Sequence, residues 1–408
     1  MDKKERIERF EKLRMGLFMH FGLYSMAGEG EWAFFNNPKV AEKYGELFEN
    51  FNPEKLDFED ILSQAKAAGM KYAVLTTRHH DGFSLYDTRG LSEYDVMHTP
   101  YGKDIIKLFT DACRKCGMLP FFYHTMHDWQ NPLLNEDFDA YLKYLRASVE
   151  VLCTNYGDVG GFWFDGCWSN SEADWQLDDL YSMIRKHQPD AMIINNTGLA
   201  YRGIISHPYI DAVTYEQGHI EKRKKIPGVQ MPAAEACETL NNHWGFARLD
   251  INYRAPKSII EALASSRGFE INYLMNIGPR GDGTISPYDR GILDLISIWM
   301  EQVRDIFYDA ETTDIDAGSR NFVLEAKGKY YLFVFDNTSP ESEHDTANPV
   351  SEKIILRGMP RRIKTVKWRD NGCELAFSNN ENGEALIEAT GFEYGRNLIV
   401  RVAEIECE

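Results

Sequence analysis

The sequence predicts an α/β chain: a (β/α)8-like, TIM-type catalytic barrel over residues 1–308, then a small C-terminal β-sandwich over residues 309–408. Three observations predict it. Short apolar runs alternate with segments of helical periodicity through the first three-quarters of the chain. Many of those runs end in polar, reactive side chains. Near Asp309 the texture changes to closely spaced strands and turns.

The apolar runs are Met15–Tyr24, Lys71–Thr77, Leu119–His124, Gly161–Asp165, Ala191–Asn195, Ala212–Tyr215 and Glu270–Asn276. Between them, Asp57–Ala68, Asp104–Lys115, Phe138–Leu152, Ala173–Lys186 and Lys257–Ser266 repeat apolar residues at helical spacing. Strand–helix repetition of this kind makes parallel strands, in a barrel or a doubly wound sheet. The barrel is favoured because His20, His79-His80, His124, Asp165, Asn195-Asn196 and Glu216 all fall at or just after strand C-termini, where barrel enzymes assemble their sites. A nucleotide-binding sheet loses ground, since the chain has neither a Gly-rich dinucleotide fingerprint nor a phosphate-cradling loop. A long helix over Pro287–Phe307 precedes the strands Asn321–Ala326, Lys329–Phe335, Lys353–Leu356, Ile363–Trp368, Ala385–Ala389 and Leu398–Ala403. Ala326-Lys-Gly-Lys329 and Asp370-Asn-Gly-Cys373 read as hairpin turns.

Composition narrows the partners. With 45 Lys and Arg against 63 Asp and Glu, the chain carries a formal charge of −18, which repels nucleic acid and anionic membrane surfaces. A neutral substrate fits better. Hydrophobic residues at 43% and charged residues at 26% are those of an ordinary globular protein, which excludes disorder and a disulfide mini-scaffold. The seven cysteines are an odd number; Cys113 and Cys116 form a C-x-x-C, but it lies in a helical stretch without a second pair and reads as ordinary thiols. The charged N-terminus lacks the apolar core of a secretory signal, and no run approaches a membrane span, so a cytoplasmic location is expected.

Asp165 is the first candidate for chemistry. In Gly-Gly-Phe-Trp-Phe-Asp-Gly-Cys-Trp (160–168) a carboxylate ends an apolar strand between aromatic rings, rigid and partly desolvated, as a nucleophile or general base requires. The plainer reading is a turn-initiating Asp-Gly. Glycoside chemistry needs a second carboxylate. Glu216, at the end of Asp211-Ala-Val-Thr-Tyr-Glu and two barrel strands from Asp165, is the best placed, with Glu221, Glu235 and Glu238 in competition. His20, His79, His80 and His124, with His127, Asp128 and Trp129 after it, form a third group. Imidazoles among Trp and Phe suit sugar hydroxyls, because neutral His both donates and accepts. As metal ligands, His20, His79, His80 and Asp165 would make an open catalytic site, although no local ligand signature supports it. Sugar faces also stack on rings, and Trp32 and Trp244, flanked by polar or small residues, read as site walls, whereas Trp163 in mid-strand reads as core.

Taken together, these motifs resemble the α-L-fucosidases of glycoside hydrolase family 29. Phe10-Glu-Lys-Leu-Arg-Met-Gly-Leu-Phe-Met-His-Phe-Gly-Leu-Tyr-Ser25 is similar to the family's opening strand with its site histidine, His20. Glu31-Trp32, Arg78-His-His-Asp-Gly-Phe83, Trp163-Phe-Asp-Gly166 and Tyr215-Glu-Gln217 resemble the Glu-Trp pair, the paired histidines, the nucleophile motif and the acid/base segment. His243-Trp-Gly-Phe246 and Leu274-Met-Asn-Ile-Gly-Pro279, with Gly281–Ile285, resemble later segments, so the likeness runs over roughly residues 5–300 in order.

The resemblance implies a retaining exo-α-L-fucosidase acting on fucosylated oligosaccharides or glycoconjugates, with Asp165 as nucleophile and Glu216 as acid/base. It implies that His20, Glu31, Trp32, His79 and His80 hold the fucose hydroxyls, that Tyr123 sits near the nucleophile, and that Trp244 or Phe246 packs the C6 methyl. No metal or organic cofactor is implied. A homo-oligomer is allowed, since barrel glycosidases often associate. Two departures stand out: Asn195-Asn-Thr197 replaces the Asn-Asp-Arg context of many relatives, with Arg202 as the candidate substitute, and the Lys-containing loop Gly218–Pro232 is expected to shape the aglycone side. The alternatives are a fucose-binding protein that has lost turnover, and a metal-dependent hydrolase built on His20, His79 and His80.

Overall fold

The computed structural model describes residues 1–218, 220, 229–337, 351–393 and 395–408; Glu221 and most of the loop Gly218–Pro232 lie outside them. Eight parallel strands close on one another: β1 (Met15–Met19), β2 (Tyr72–Arg78), β3 (Leu119–Thr125), β4 (Gly161–Asp165), β5 (Met192–Asn195), β6 (Ala212–Glu216), β7 (Ala233–Glu238) and β8 (Asn272–Ile277). Closure comes from β8 pairing with β1, Met275 opposite Leu17. The predicted barrel is therefore the observed one, with one strand more than the seven apolar runs. β7 was absent from them because Ala-Ala-Glu-Ala-Cys-Glu contains no β-branched or aromatic residue. Burial on all six positions, not propensity, makes it a strand.

The barrel interior is filled largely by rings. Phe18, Tyr72, Phe121, Tyr123 and Trp163 pack there with Val74, Met192, Ile194 and Leu274. Such large groups fit because glycine stands opposite them: a Cβ on Gly16 would lie 2.4 Å from the Tyr72 ring, and one on Gly161 2.5 Å from that of Phe121. The N-terminal helix Lys3–Glu11, capped by Asp2 and Glu5 in a capping box, adds Ile7 and Phe10 to the same cluster. Among these rings lies one carboxyl group. Glu235 on β7 accepts from Trp163 Nε1 at 2.8 Å and from the Tyr72 hydroxyl at 2.5 Å. Burial pushes its pKa up to about 7, against the lowering effect of those two bonds. Glu235 is thus part of the filling of the barrel, not of its mouth.

The outer helices follow their sequence patterns within a few residues. Ile105–Cys116 is typical: Asp104 caps it through Lys107 N, its apolar stripe is buried, and Gly117 ends it at φ 69°. No helix among the described residues is long and apolar enough to cross a membrane.

The chain divides into two compact units, Met1–Arg254 with Ile271–Asp294, and Ala255–Glu270 with Leu295–Glu408. Within the second, β13 (Ile363–Trp368), β16 (Arg401–Cys407), β11 (Lys329–Val334), β10 (Phe322–Ala326) and β9 (Glu311–Thr312) form one antiparallel sheet in that order. A second sheet runs β12 (Ser351–Arg357), β15 (Glu384–Thr390), β14 (Phe377–Asn379). Val323, Leu332 and Ile405 of the first sheet share a core with Ile354, Leu356 and Ile387 of the second, as in a sandwich. Ala326 pairs with Lys329, leaving Lys327 and Gly328 as a two-residue turn at φ 54° and 79°, as read from the sequence.

Candidate active site

The polar ends of the strands converge at the C-terminal mouth of the barrel. Asp165 ends β4, and Gly166 takes φ 103°, a conformation that strains any residue with a Cβ. A Cβ there would also stand 3.0 Å from His127 Cβ. The Asp165 carboxylate is held on both oxygens. Oδ2 accepts from the Tyr123 hydroxyl at 3.0 Å and lies 3.4 Å from His80 Nε2. Oδ1 accepts from Trp168 Nε1 at 2.8 Å and from Asn196 Nδ2 at 3.2 Å. Burial works to raise its pKa, but the bonds and charge offered by His80, then Trp168 and Tyr123, win and hold it below the usual 3.8. Asp165 stays ionised.

Glu216 ends β6, across the mouth. Its Oε2 accepts from the same Asn196 amide nitrogen at 2.8 Å. The orientation of that amide is fixed, because Asn196 Oδ1 accepts from the Thr214 hydroxyl at 2.7 Å and from Gly198 N–H at 3.3 Å. One NH2 group therefore spans the two carboxylates. Its two bonds limit the bridged oxygens to about 6 Å apart, and the natural opening of an amide NH2 places them near ~5 Å. Burial, followed by the charge of Asp165, pushes the Glu216 pKa up to about 7. Two neighbouring carboxyl groups are thus driven apart, one anionic and one protonated below pH 7, which is how acid and nucleophile or base roles are divided.

A pocket with about 390 Å³ of atom-free space surrounds this pair, lined by Phe18, His20, Trp32, His79, His80, Tyr123, Trp163, Trp168 and Trp244 besides Asp165, Asn196 and Glu216. Of the ten residues to which the family resemblance gives a role, eight line this pocket and two do not. Phe246 is not in the lining; it packs beside Gly28 and under the Arg280 guanidinium, 5.6 Å from the ring centroid. Of the two candidate aromatic walls from that segment, the structure brings Trp244 to the pocket. Glu31 stands behind Trp244, its Oε2 accepting from Trp244 N–H at 3.0 Å and Gly245 N–H at 2.8 Å, with burial raising its pKa.

The histidines differ by partner. Asn276 gives its Nδ2 to the Trp244 carbonyl, so its Oδ1 accepts from His20 Nδ1–H at 2.7 Å, leaving His20 Nε2 as an acceptor. Burial lowers the His20 pKa to about 3, so the ring is neutral. The Thr125 hydroxyl donates to His127 O and so accepts from His80 Nδ1–H at 2.6 Å, which aims His80 Nε2 at Asp165. His79 stacks on Tyr123 at 5.6 Å; burial drives its pKa well below 6.5, and its Nδ1 has no partner among the described residues. His124 is structural: it lies between the Thr77 hydroxyl at 2.8 Å and the Arg78 guanidinium at 2.9 Å.

The described rivals of Glu216 fall away by position. Glu235 is inside the barrel. Glu238 is held by Arg254 at 2.5 Å and by the Tyr273 hydroxyl at 2.8 Å, an ion pair and not a proton donor. Arg202 Nε donates to the Glu216 backbone carbonyl, which places a cation beside the acid without touching Asp165. Among the described residues, no three His, Cys, Asp or Glu side chains converge as metal ligands would. The sequence marks Asn196 as a polar strand end and Trp168 as a ring for sugar stacking, but neither as a donor to the carboxylates. Asn196 reads as one of several polar strand ends and as part of a departure from a pattern, and Trp168 reaches Asp165 through a 3-10 turn, Cys167–Asn170, that folds its indole back by three residues.

The chain is similar to known α-L-fucosidases. The family described as Alpha-L-fucosidase matches residues 1–304. The chain is 25% identical to plasma alpha-L-fucosidase of Homo sapiens over 342 residues, 76% of this chain and 71% of that protein. It is 23% identical to alpha-L-fucosidase of Dictyostelium discoideum over 366 residues, 80% and 77% of the two chains. Alpha-L-fucosidase isoenzyme 1 of Paenibacillus thiaminolyticus superposes with a TM-score of 0.84 at 29% identity, covering 100% of both chains.

Proposed function

Because the chain belongs to the α-L-fucosidase family, glycoside hydrolase family 29, and is a glycoside hydrolase, we propose that it removes terminal α-L-fucose with retention of configuration, Asp165 acting as nucleophile and Glu216 as acid/base. The observation that carries this reading is the Asn196 amide spanning Asp165 and Glu216, since retaining enzymes hold their two carboxyl groups about 5–5.5 Å apart and inverting ones wider. In the first step an Asp165 oxygen bonds to the anomeric carbon as the bond to the leaving oxygen breaks, and the Glu216 proton passes to that oxygen. In the second, Glu216 takes a proton from water, whose oxygen displaces Asp165 from the anomeric carbon. Both carboxyl groups return to their starting states, so the cycle balances as hydrolysis.

The walls suit fucose. His79 Nδ1, buried and unpartnered among the described residues, is a ring nitrogen for a sugar hydroxyl to satisfy, an orphaned buried polar atom being costly, and His20 Nε2 is an acceptor for another. Trp244 offers an apolar face for the C6 methyl. Proton NMR on the first seconds of hydrolysis of an aryl α-L-fucoside tests the stereochemistry: α-L-fucose is expected as the first-formed anomer, and β-L-fucose first would refute double displacement.

Asn196 carries a prediction of its own. Its bond lowers the Glu216 pKa, so its removal raises it. Asn196→Ala is expected to lower kcat/KM about 10²-fold, as loss of one aligned donor does, and to move the alkaline limb of the pH profile upward. A profile shifted downward, or not at all, contradicts the bridging role.

A further inference from the structure

Adjoining the pocket, with which it shares Trp168 and Asn196 in its lining, is a second, wider cleft, with about 1500 Å³ of atom-free space against about 390 Å³. It opens between the segment that follows β4 and the one that follows β5, bounded by Trp168 and Trp175 on one side and by Tyr201 and Ile204 on the other. Two features set it apart from ordinary surface. Large apolar side chains concentrate there in an exposed state: Tyr201 is 60% exposed, Ile204 50% and Trp168 38%. Single exposed hydrophobics need no explanation, but a group of them lining a concavity does. The polar lining, in turn, is neutral or acidic. Among the described residues it includes Asp174, Asp178 and Asp179 and no lysine or arginine. Asp178 lies 3.3 Å from His207, and Asp179 is partly offset by Arg146 at 3.9 Å from outside the lining.

The shared residue fixes which end of a substrate faces the cleft. Asn196 lines it and hydrogen-bonds Glu216, the group that would protonate the leaving oxygen. We infer that this cleft is the leaving-group site, shaped for a neutral glycan of two or more sugar residues that lays its apolar faces on Tyr201 and Ile204, and that its carboxylates turn away glycans bearing sialic acid. The inference rests on the fucosidase reading above and names its substrate class. Apolar sugar faces on rings supply the attraction. Like charge at short range supplies the discrimination, which salt screens.

The test compares three substrates: α-L-fucosyl fluoride, whose leaving group is too small to enter the cleft, a neutral α-fucosylated trisaccharide, and the same glycan extended by sialic acid. In the double variant Tyr201→Ala, Ile204→Ser, kcat/KM for the trisaccharide is expected to fall at least about tenfold while that for the fluoride stays within about twofold. The wild type is expected to prefer the neutral over the sialylated glycan at least about tenfold in low salt, a ratio that narrows as salt rises. The defucosylated disaccharide is expected to inhibit fluoride hydrolysis by the wild type and not by the variant. An equal fall on fluoride and trisaccharide, or no fall on the trisaccharide, overturns the assignment of the cleft. A wild type inert towards all three substrates overturns the fucosidase reading, and this inference with it.

Discussion

Asp165→Ala is expected to lower kcat for 4-nitrophenyl-α-L-fucoside by about 10⁴-fold or more, the scale on which nucleophile knockouts act, while leaving the fold intact. The expectation follows from placement. Tyr123, Trp168 and Asn196 all direct hydrogens at this one carboxylate, with His80 Nε2 3.4 Å away, and Ala leaves those groups in place around a small vacant space. Added azide fits where the carboxylate was and attacks from the same face. It is expected to restore turnover and to yield β-L-fucosyl azide, because a single displacement inverts the anomeric centre. Full activity in Asp165→Ala, or an α-configured azide, contradicts the nucleophile assignment.

The second large effect is on Glu216, and it depends on the leaving group. General acid assistance contributes about 10²–10⁴-fold, and all of it is needed when a sugar alkoxide departs. Glu216→Ala is therefore expected to lose that much on a fucosylated oligosaccharide and far less in the first step on an aryl fucoside or fucosyl fluoride. The pH profile gives an independent reading. The active form has Asp165 ionised and Glu216 protonated, so kcat/KM is expected to hold between the lowered Asp165 pKa and about 7, then to fall as Glu216 gives up its proton. In Glu216→Ala the alkaline limb should vanish. A limb near 7 that survives the substitution belongs to another group and removes Glu216 from the role.

How far the sequence alone reached can be judged residue by residue. The barrel was legible because seven of its strands are apolar runs with a polar terminal residue. The eighth is built on alanine and is a strand only through closure between β6 and β8. Asp165, His20, His79, His80 and Glu216 were legible for the same reason, since strand ends in a parallel barrel share one mouth, whereas Tyr123 came only from the family resemblance. What sequence could not convey is side-chain direction. Asn195 and Asn196 are adjacent and chemically identical. Yet Asn195 turns to the Tyr181 hydroxyl at 2.8 Å, whereas Asn196 turns inward to bridge two carboxylates. Trp244 and Phe246 alternate in the same way, and only the first reaches the pocket. Glu235 and Glu238 likewise stayed in competition with the better-placed Glu216 until burial and pairing separated them.

The central claim is that Asp165 becomes covalently bonded to the sugar while Glu216 serves as its partner acid. The most direct measurement is to incubate the wild type with 2-deoxy-2-fluoro-α-L-fucosyl fluoride, which slows release of the glycosyl-enzyme more than its formation, and to map the modified peptide by mass spectrometry. The account predicts one fluorofucosyl group per chain, carried by Asp165 in Gly-Phe-Trp-Phe-Asp-Gly (161–166). A label on any other residue, or turnover with no covalent adduct at any stage, would contradict it.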